Sequence, residues 1–542
     1  MQSILNLTDV SNRLRMNMSA AISKNPGVNA DARLPIPAVI FLIIVMYTVY
    51  SRFRQRHAAP GPPRLPFVGN VFQQSKTLQF LQYTEWSKKY GPVFSLDLLG
   101  QHVVVLNTYK AATDLFDRHS SIYNDRPRMI MANEILGDGI FLPLVRYGDV
   151  WRRLRRAAHE SFSVKAVQNF RPIQREAAHL ASLSIHKDPG SWTPTVEWFA
   201  ASSIFSSVYN WPPLEAHSPV IKQMRDFMAR FTDAAMPGTF LVDFFPFMRI
   251  FPSWMARWKR EGLAWNQAQS ELFGGSKNGV LEKMDAGESP AGFTADLISA
   301  GDKFGLTKKE LTWLPGIMVT GAIETTSAAI ENCMLAMLHD PAIMYKAQAE
   351  LDAVVGRERA PTFEDRDNLP YIRAIVRETL RWRPIAPLAL PHYATEDHWY
   401  SGYFISKGTF VIGNVWAMNR DPLVHADPDA FRPERYLDAS GKEDFIPAGS
   451  HHLGHITFGF GRRICSGINF AEQGLFIGIA TLLWAFDVKP VVDEKGKAML
   501  PSLDDWHDNG AVVRPTPFKC QFPLRFPEVQ TILEASVSSK AV

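Results

Sequence analysis

FGFGRRICSG, residues Phe458 to Gly467, is the stretch on which the reading of this 542-residue chain turns. Cys465 within it is a candidate axial ligand of a haem iron. A thiolate bound opposite dioxygen pushes electron density through the metal and favours cleavage of the bond between the two oxygens. The flanking residues suit that role. Gly461 and Gly467 permit backbone angles or close approaches that a side chain would block, and Arg463 offers a charge-assisted fork for a carboxylate such as a haem propionate. The plainer reading of a single cysteine is a small buried hydrophobe.

At each fixed position the segment matches F-x-x-G-x-R-x-C-x-G, with Phe458 as its first residue. In this it resembles the cysteine loop of the haem-thiolate monooxygenases, the cytochrome P-450 superfamily. Further segments extend the resemblance. Asn368 to Pro384, NLPYIRAIVRETLRWRP, reads as a helix with Pro370 in its first turn and Pro384 stopping it. It carries Glu378 and Arg381 three residues apart, on one face, a spacing that in an isolated helix makes a surface ion pair worth roughly 0.2–0.5 kcal/mol. FRPERYL, Phe431 to Leu437, resembles the family's F-x-P-E-R-[FW] element and implies that Arg435 joins Glu378 and Arg381 in a buried structural network; Tyr436 stands where the family has Phe or Trp.

Lys309 to His339 is a long helical run ending at Asp340-Pro341, with Gly321-Ala322-Ile323-Glu324-Thr325-Thr326 at its middle. This resembles the oxygen-binding stretch of the family's central helix, with Ala322 in place of its usual glycine. The resemblance implies that Glu324 and Thr325 relay protons; a threonine in a helix otherwise bonds back to its own backbone. Trp151 and Arg155 lie four apart, on one side of a helix, and the resemblance assigns them to one haem propionate and His392 to the second. Arg152, Arg153, Arg156 and Arg462 would then surround the thiolate face, where an acidic electron donor docks. His451, His452 and His455 match no zinc spacing and read as loop residues.

Charge is nearly balanced, Lys+Arg 58 against Asp+Glu 54. With no basic stripe interleaved by aromatics, a nucleic-acid partner is not expected. Only 3 cysteines in the whole chain exclude a disulfide framework.

Leu34 to Tyr50, LPIPAVIFLIIVMYTVY, is free of charge and near the lower length limit of a membrane helix. Arg52, Arg54 and Arg56 follow it, which orients the rest of the chain to the cytosol. The expected organisation is a lumenal tail over 1–33, with sequons at Asn6 and Asn17 as possible glycosylation sites, a transmembrane anchor over 34–50 and a basic, proline-rich hinge over 51–70. A catalytic domain over 71–526 and a flexible tail over 527–542 follow. The fold class is mainly α with small β-sheets, the cytochrome P-450 fold, preceded by one N-terminal transmembrane helix; strand-like runs fall at Val93 to Leu98, at Val103 to Leu106 and near Phe404 and Val411.

The resemblance implies a haem-thiolate monooxygenase of the endoplasmic reticulum membrane, carrying haem b and using O2. Electrons would come from NADPH through NADPH-cytochrome P-450 reductase, because no flavin or dinucleotide fingerprint occurs in the chain. Phe141, Ile317, Met318, Ile385, Ala386 and Leu388 fall in the family's substrate-recognition segments and imply a lipophilic small-molecule substrate, with a terpenoid or related secondary metabolite expected from the likeness to microsomal fungal members. Desaturation, epoxidation and ring coupling stay open beside hydroxylation. So does a non-catalytic haem carrier.

Overall fold

The computed structural model describes Met46 and residues 57–538, apart from 216–217, 237–238, 443–444, 448–449 and 451–452. Contacts divide the chain into two units at Ala58/Ala59; every element below belongs to the second. The expected anchor over 34–50 and both sequons lie outside the described residues, with Met46 the one exception.

Helices dominate. In chain order they include α1 (Gln79–Tyr90), α2 (Asp149–Phe162), α3 (Arg171–Lys187), α4 (Trp192–Tyr209), α5 (Pro219–Ala235), α6 (Arg257–Asp285), α7 (Lys308–His339), α8 (Pro341–Val354), α9 (Pro370–Trp382), α10 (Ile468–Ala485) and α11 (Val529–Ser538). A four-stranded sheet joins β1 (Val93–Leu98), β2 (Gln101–Leu106), β3 (His392–Tyr393) and β4 (Phe410–Gly413) in the order β1-β2-β4-β3. β1 and β2 form a hairpin, β4 adds parallel to β2, and β3 closes the edge antiparallel to β4. Near the C-terminus β5 (Trp506–Asp508) pairs with β6 (Val513–Pro515).

The central element is α7. Thr307 caps it, its hydroxyl accepting from the Glu310 amide while Glu310 accepts from the Thr307 amide, a reciprocal box that satisfies two orphan donors of the first turn. Asp340-Pro341 ends it and starts α8, as the sequence predicts. Between Trp313 and Leu338 the helix is buried except around one turn, where Gly321 is exposed and Ala322, Glu324 and Thr325 are partly so. It packs on α4, α6, α9 and α10 inside the largest apolar cluster. α10 is 18 residues long and apolar enough to cross a membrane, yet 78% of it is buried in this core.

Three expectations need correction. Residues 59–70, expected as part of a separate hinge, fold onto β1: the Ser95 amide donates to Pro60 O at 2.8 Å and Asn70 exchanges hydrogen bonds with Asp97. Within the expected flexible tail over 527–542, Val529–Ser538 form α11, packed on α3 through fully buried Val529 and Leu533, with Ser536 bonded to His179, while 539–542 lie outside the described residues. Apolar side chains placed along one face made this a helix rather than a loose end. Finally, β2 begins at Gln101, two residues before the strand-like run, because Gly100 with φ 87° turns the hairpin there.

Candidate active site

The cysteine loop is held from behind by its own backbone. The Cys465 amide donates to Phe458 O at 2.9 Å, closing a tight bend. Gly461 has φ +50°, and a Cβ on it would lie 2.5 Å from Phe116 O, so glycine is required on both counts. Gly459, which sequence reasoning passed over, also has positive φ, 81°. Gly467 does not: its φ is −92° and an added Cβ would meet only Cys465 Sγ at 3.9 Å, so the expected backbone reason for a glycine fails there. The Cys465 side chain is exposed although the loop is deep in the protein. Burial pushes its thiol pKa up, opposed by the Gly467 amide and the charge of Arg155.

Cations gather beside it. Arg463 lies under the ring of Trp151, 4.6 Å from its centroid, and its Nε donates to Asn124 O at 2.7 Å. Its Nη1 and Nη2 are buried without a partner among the described residues, and burial pushes its pKa down to about 10. Arg155 is shifted down by burial and feels Cys465. His392 is buried, stacked on Phe116 at 4.0 Å, and its Nδ1 donates to Tyr123 O at 2.7 Å. Burial and the charges of Arg126 and Arg463 hold its pKa well below the usual imidazole value, so it needs a nearby anion before Nε2 can carry a second N–H.

Arg126 is a member that sequence reasoning missed. It is fully enclosed, with Nε on Pro143 O and Nη1 on Leu390 O and Pro391 O, and it lies near both His392 and Arg463. Nothing in local spacing announces it, because its partners are 17 to 265 residues away. A group with two carboxylates, one metal and a flat apolar body matches what these side chains offer.

α7 brings the remaining residues. Met318 Sδ accepts from Ser466 Oγ at 3.7 Å, which seats this expected substrate contact against the cysteine loop. Met318, Ala322 and Thr325 follow at i, i+4 and i+7, so the face that meets the loop also carries the exposed turn. Thr325 Oγ1 donates back to Gly321 O at 2.9 Å. Glu324 lies roughly 100° round the helix from Thr325 and points elsewhere, accepting from Asn509 Nδ2 at 2.8 Å. Burial raises its pKa, with Arg514 opposing. Of the other expected pocket residues, Phe141, Ile317 and Ile385 join the main apolar cluster, where Phe141 packs on Phe231 with centroids 4.0 Å apart. Ala386 is partly buried in the turn ahead of β3. Leu388 instead packs with the sheet-side clusters around Tyr83, Phe80 and Trp416.

Glu378, Arg381 and Arg435 do meet. Glu378 and Arg381 are fully buried, and Arg381 bonds Glu378 through Nε at 2.7 Å and Nη2 at 2.8 Å. Arg435 Nε reaches Glu378 Oε1 at 3.0 Å. Tyr436 donates to Gly454 O at 3.2 Å, a bond no Phe could make. Around the cysteine loop, Arg462 donates to Tyr147 Oη at 2.7 Å and Arg152, whose guanidinium lies over the Tyr147 ring, pairs with Asp149. Arg153, expected to be free for a partner, is forked onto Glu310.

A family model for cytochrome P450 matches residues 59–522. The chain is 47% identical over 92% of its length to cytochrome P450 monooxygenase 58 of Postia placenta, covering 95% of that protein. It is 43% identical over 92% of its length to a cytochrome P450 monooxygenase of Armillaria gallica, 96% covered, and 36% identical over 91% to one of Amanita muscaria, 96% covered. A haem-binding, oxygen-activating enzyme is the class these matches define. The chain belongs to the cytochrome P450 family and is a monooxygenase, which sets aside the non-catalytic carrier. The family implies haem, O2, a redox partner and a small-molecule substrate. The residues present fit haem: an exposed sulfur at the end of the loop and, beside it, a buried guanidinium with two nitrogens lacking an acceptor among the described residues.

Proposed function

We propose that this chain hydroxylates or otherwise oxidises a lipophilic small molecule, a terpenoid or related secondary metabolite, with haem b held by Cys465. Haem supplies the oxygen-activating chemistry when bound, tuned by its thiolate ligand. The surrounding side chains hold it. Arg463, Arg155, Trp151 and His392 take its propionates, and the observation that carries this reading is the pair of orphaned Arg463 nitrogens beside Cys465. An unpaired buried donor costs about 1–3 kcal/mol, more when charged, so an acceptor arriving beside Arg463 would relieve that cost.

Glu324 and Thr325 move protons. Thr325 presents its hydroxyl on the face of α7 that meets the cysteine loop, and Glu324, with its raised pKa, stands behind as the donor. Phe141, Ile317 and Ile385 belong to the main apolar cluster, and a pocket they line would have few polar anchors, which suits a hydrocarbon skeleton. The segment between α5 and α6 exposes Leu241, Phe247, Ile250 and Trp254, a surface suited to a bilayer. With the apolar run over 34–50 this supports a single-pass protein of the endoplasmic reticulum membrane served by NADPH-cytochrome P-450 reductase, which would dock near Arg152 and Arg462.

The test is expression with reductase in a host making candidate scaffolds, followed by mass spectrometry. A product heavier by one oxygen is expected. Absence of any oxidised product across terpenoid scaffolds would remove the substrate class. Thr325→Ala should divert NADPH from product to reduced oxygen; unchanged coupling would take Thr325 off the proton path.

A further inference from the structure

Behind α7, on the side away from the cysteine loop, lies a small polar cavity between α4, α5, α7 and β6. Thr320, Glu324, Glu197, Arg225 and Arg514 line it together with apolar residues such as Met228. About 20 Å³ of it is open to the centre of a water molecule, room for one or two waters with polar partners on several sides. Thr320, Glu324 and Glu331 recur at i, i+4 and i+11, so α7 turns one acidic face to this space. Arg514 is committed to Glu331 in a buried fork, with Nε at 3.0 Å from Oε2. That leaves Glu324 with Asn509 and Glu197 with Arg225, whose Nη1 stands 3.6 Å from Glu197 Oε2. Glu197 is buried, whereas the Arg225 side chain is 58% exposed, so the cluster runs from solvent to the core.

We propose that this cavity is the proton supply route to Glu324, with Glu197 as its second proton-carrying group and Arg225 at its mouth. The inference rests on the proposed role of Glu324 as proton donor. Glu197 takes a proton from solvent water at the Arg225 end and releases it to a cavity water, which protonates the Glu324 carboxylate; one O–H bond breaks and one forms at each step, with no electron transferred. Glu197 is a positioning and relay residue and touches no substrate. The charged groups facing Glu324 are Arg514, Glu197, His507, Arg225 and, on its own helix, Glu331; the two arginines and His507 oppose the desolvation that raises its pKa.

Infrared spectroscopy of the full-length haem-loaded protein in lipid films tests this. The carboxylic C=O band of Glu324, assigned by its loss in Glu324→Gln, is followed after transfer to heavy water at acidic pH. Glu197→Gln should slow its exchange roughly 100-fold or more and move its titration midpoint down, because a like charge is removed. Met228→Phe, which fills the cavity and leaves both carboxylates in place, should slow exchange without that downward shift. Exchange at the wild-type rate in Glu197→Gln overturns the proposal, whatever Met228→Phe does. The donor role of Glu324 is read separately: Glu324→Gln with coupling intact defeats that role while leaving the exchange result standing, and the reverse pair of outcomes defeats the route alone.

Discussion

Two buried arginines separate what holds this molecule together from what it is built to receive. Arg381 spends all its donors on protein: two nitrogens on Glu378, and the rest on the carbonyls of Asn419, Pro428 and Ala430. Arg463, also buried in its guanidinium, has one nitrogen on Asn124 O and two with no partner among the described residues. A guanidinium carries five N–H donors in a fixed fork, and leaving them unmet in the interior is expensive. The first arginine is therefore a fastening complete in itself. The second keeps donors in reserve, and this is where we propose that a haem propionate is received.

The comparison breaks most visibly at Glu378. Glu378→Gln leaves Arg381 and Arg435 charged, buried and uncompensated, and should lower the unfolding free energy by about 3–5 kcal/mol, read as a lower urea midpoint with an unchanged slope. A change under roughly 1 kcal/mol would return the cluster to the status of a surface pair. Arg463→Met should do the opposite to the haem-free protein, leaving its stability unchanged or higher, while haem retention weakens by about 1.5–3 kcal/mol, measured by transfer to apomyoglobin. Loss of stability in the haem-free form would show that Arg463 also fastens the fold.

Glu324 titrates above the ordinary carboxylate value of 4.5 in the folded state because burial disfavours its charge. The folded protein thus binds more protons than the unfolded one between 4.5 and the raised value, so this group's contribution falls as pH rises through that window and is fully present below it. Glu324→Gln should flatten that part of the stability profile, because the group whose charge burial disfavours is then gone. An unaltered profile would mean that the carboxylate is solvated or fully compensated by Arg514.

Much of this was legible in the chain because it is local. The Phe458–Gly467 loop, the start of α9 at Pro370 and the end of α7 at Asp340-Pro341 follow from neighbours within a turn or two. So does the shared face of Glu378 and Arg381. What escaped was assembled from far apart. Arg126 reaches Leu390 and Pro391, Glu324 meets Asn509, and Glu331 meets Arg514. No periodicity links residues about 180 apart in sequence. Leu388 sat in an expected pocket segment yet packs on the sheet side, while Met318 from another such segment does meet the cysteine loop, since a segment's position does not decide which way a side chain turns. The C-terminal helix was missed because a short polar-ended segment looks loose until α3 provides a surface for Val529 and Leu533.

The most direct test of the central claim is the absorption spectrum of the reduced, carbon monoxide-bound protein, recorded for the native chain and for Cys465→Ser at equal haem content. The native chain should give the red-shifted band of a thiolate-ligated iron, and the variant should lose both that band and oxygen insertion. A native spectrum without the thiolate band, or a variant that keeps it, would contradict Cys465 as the ligand and with it the reading of every residue around the loop.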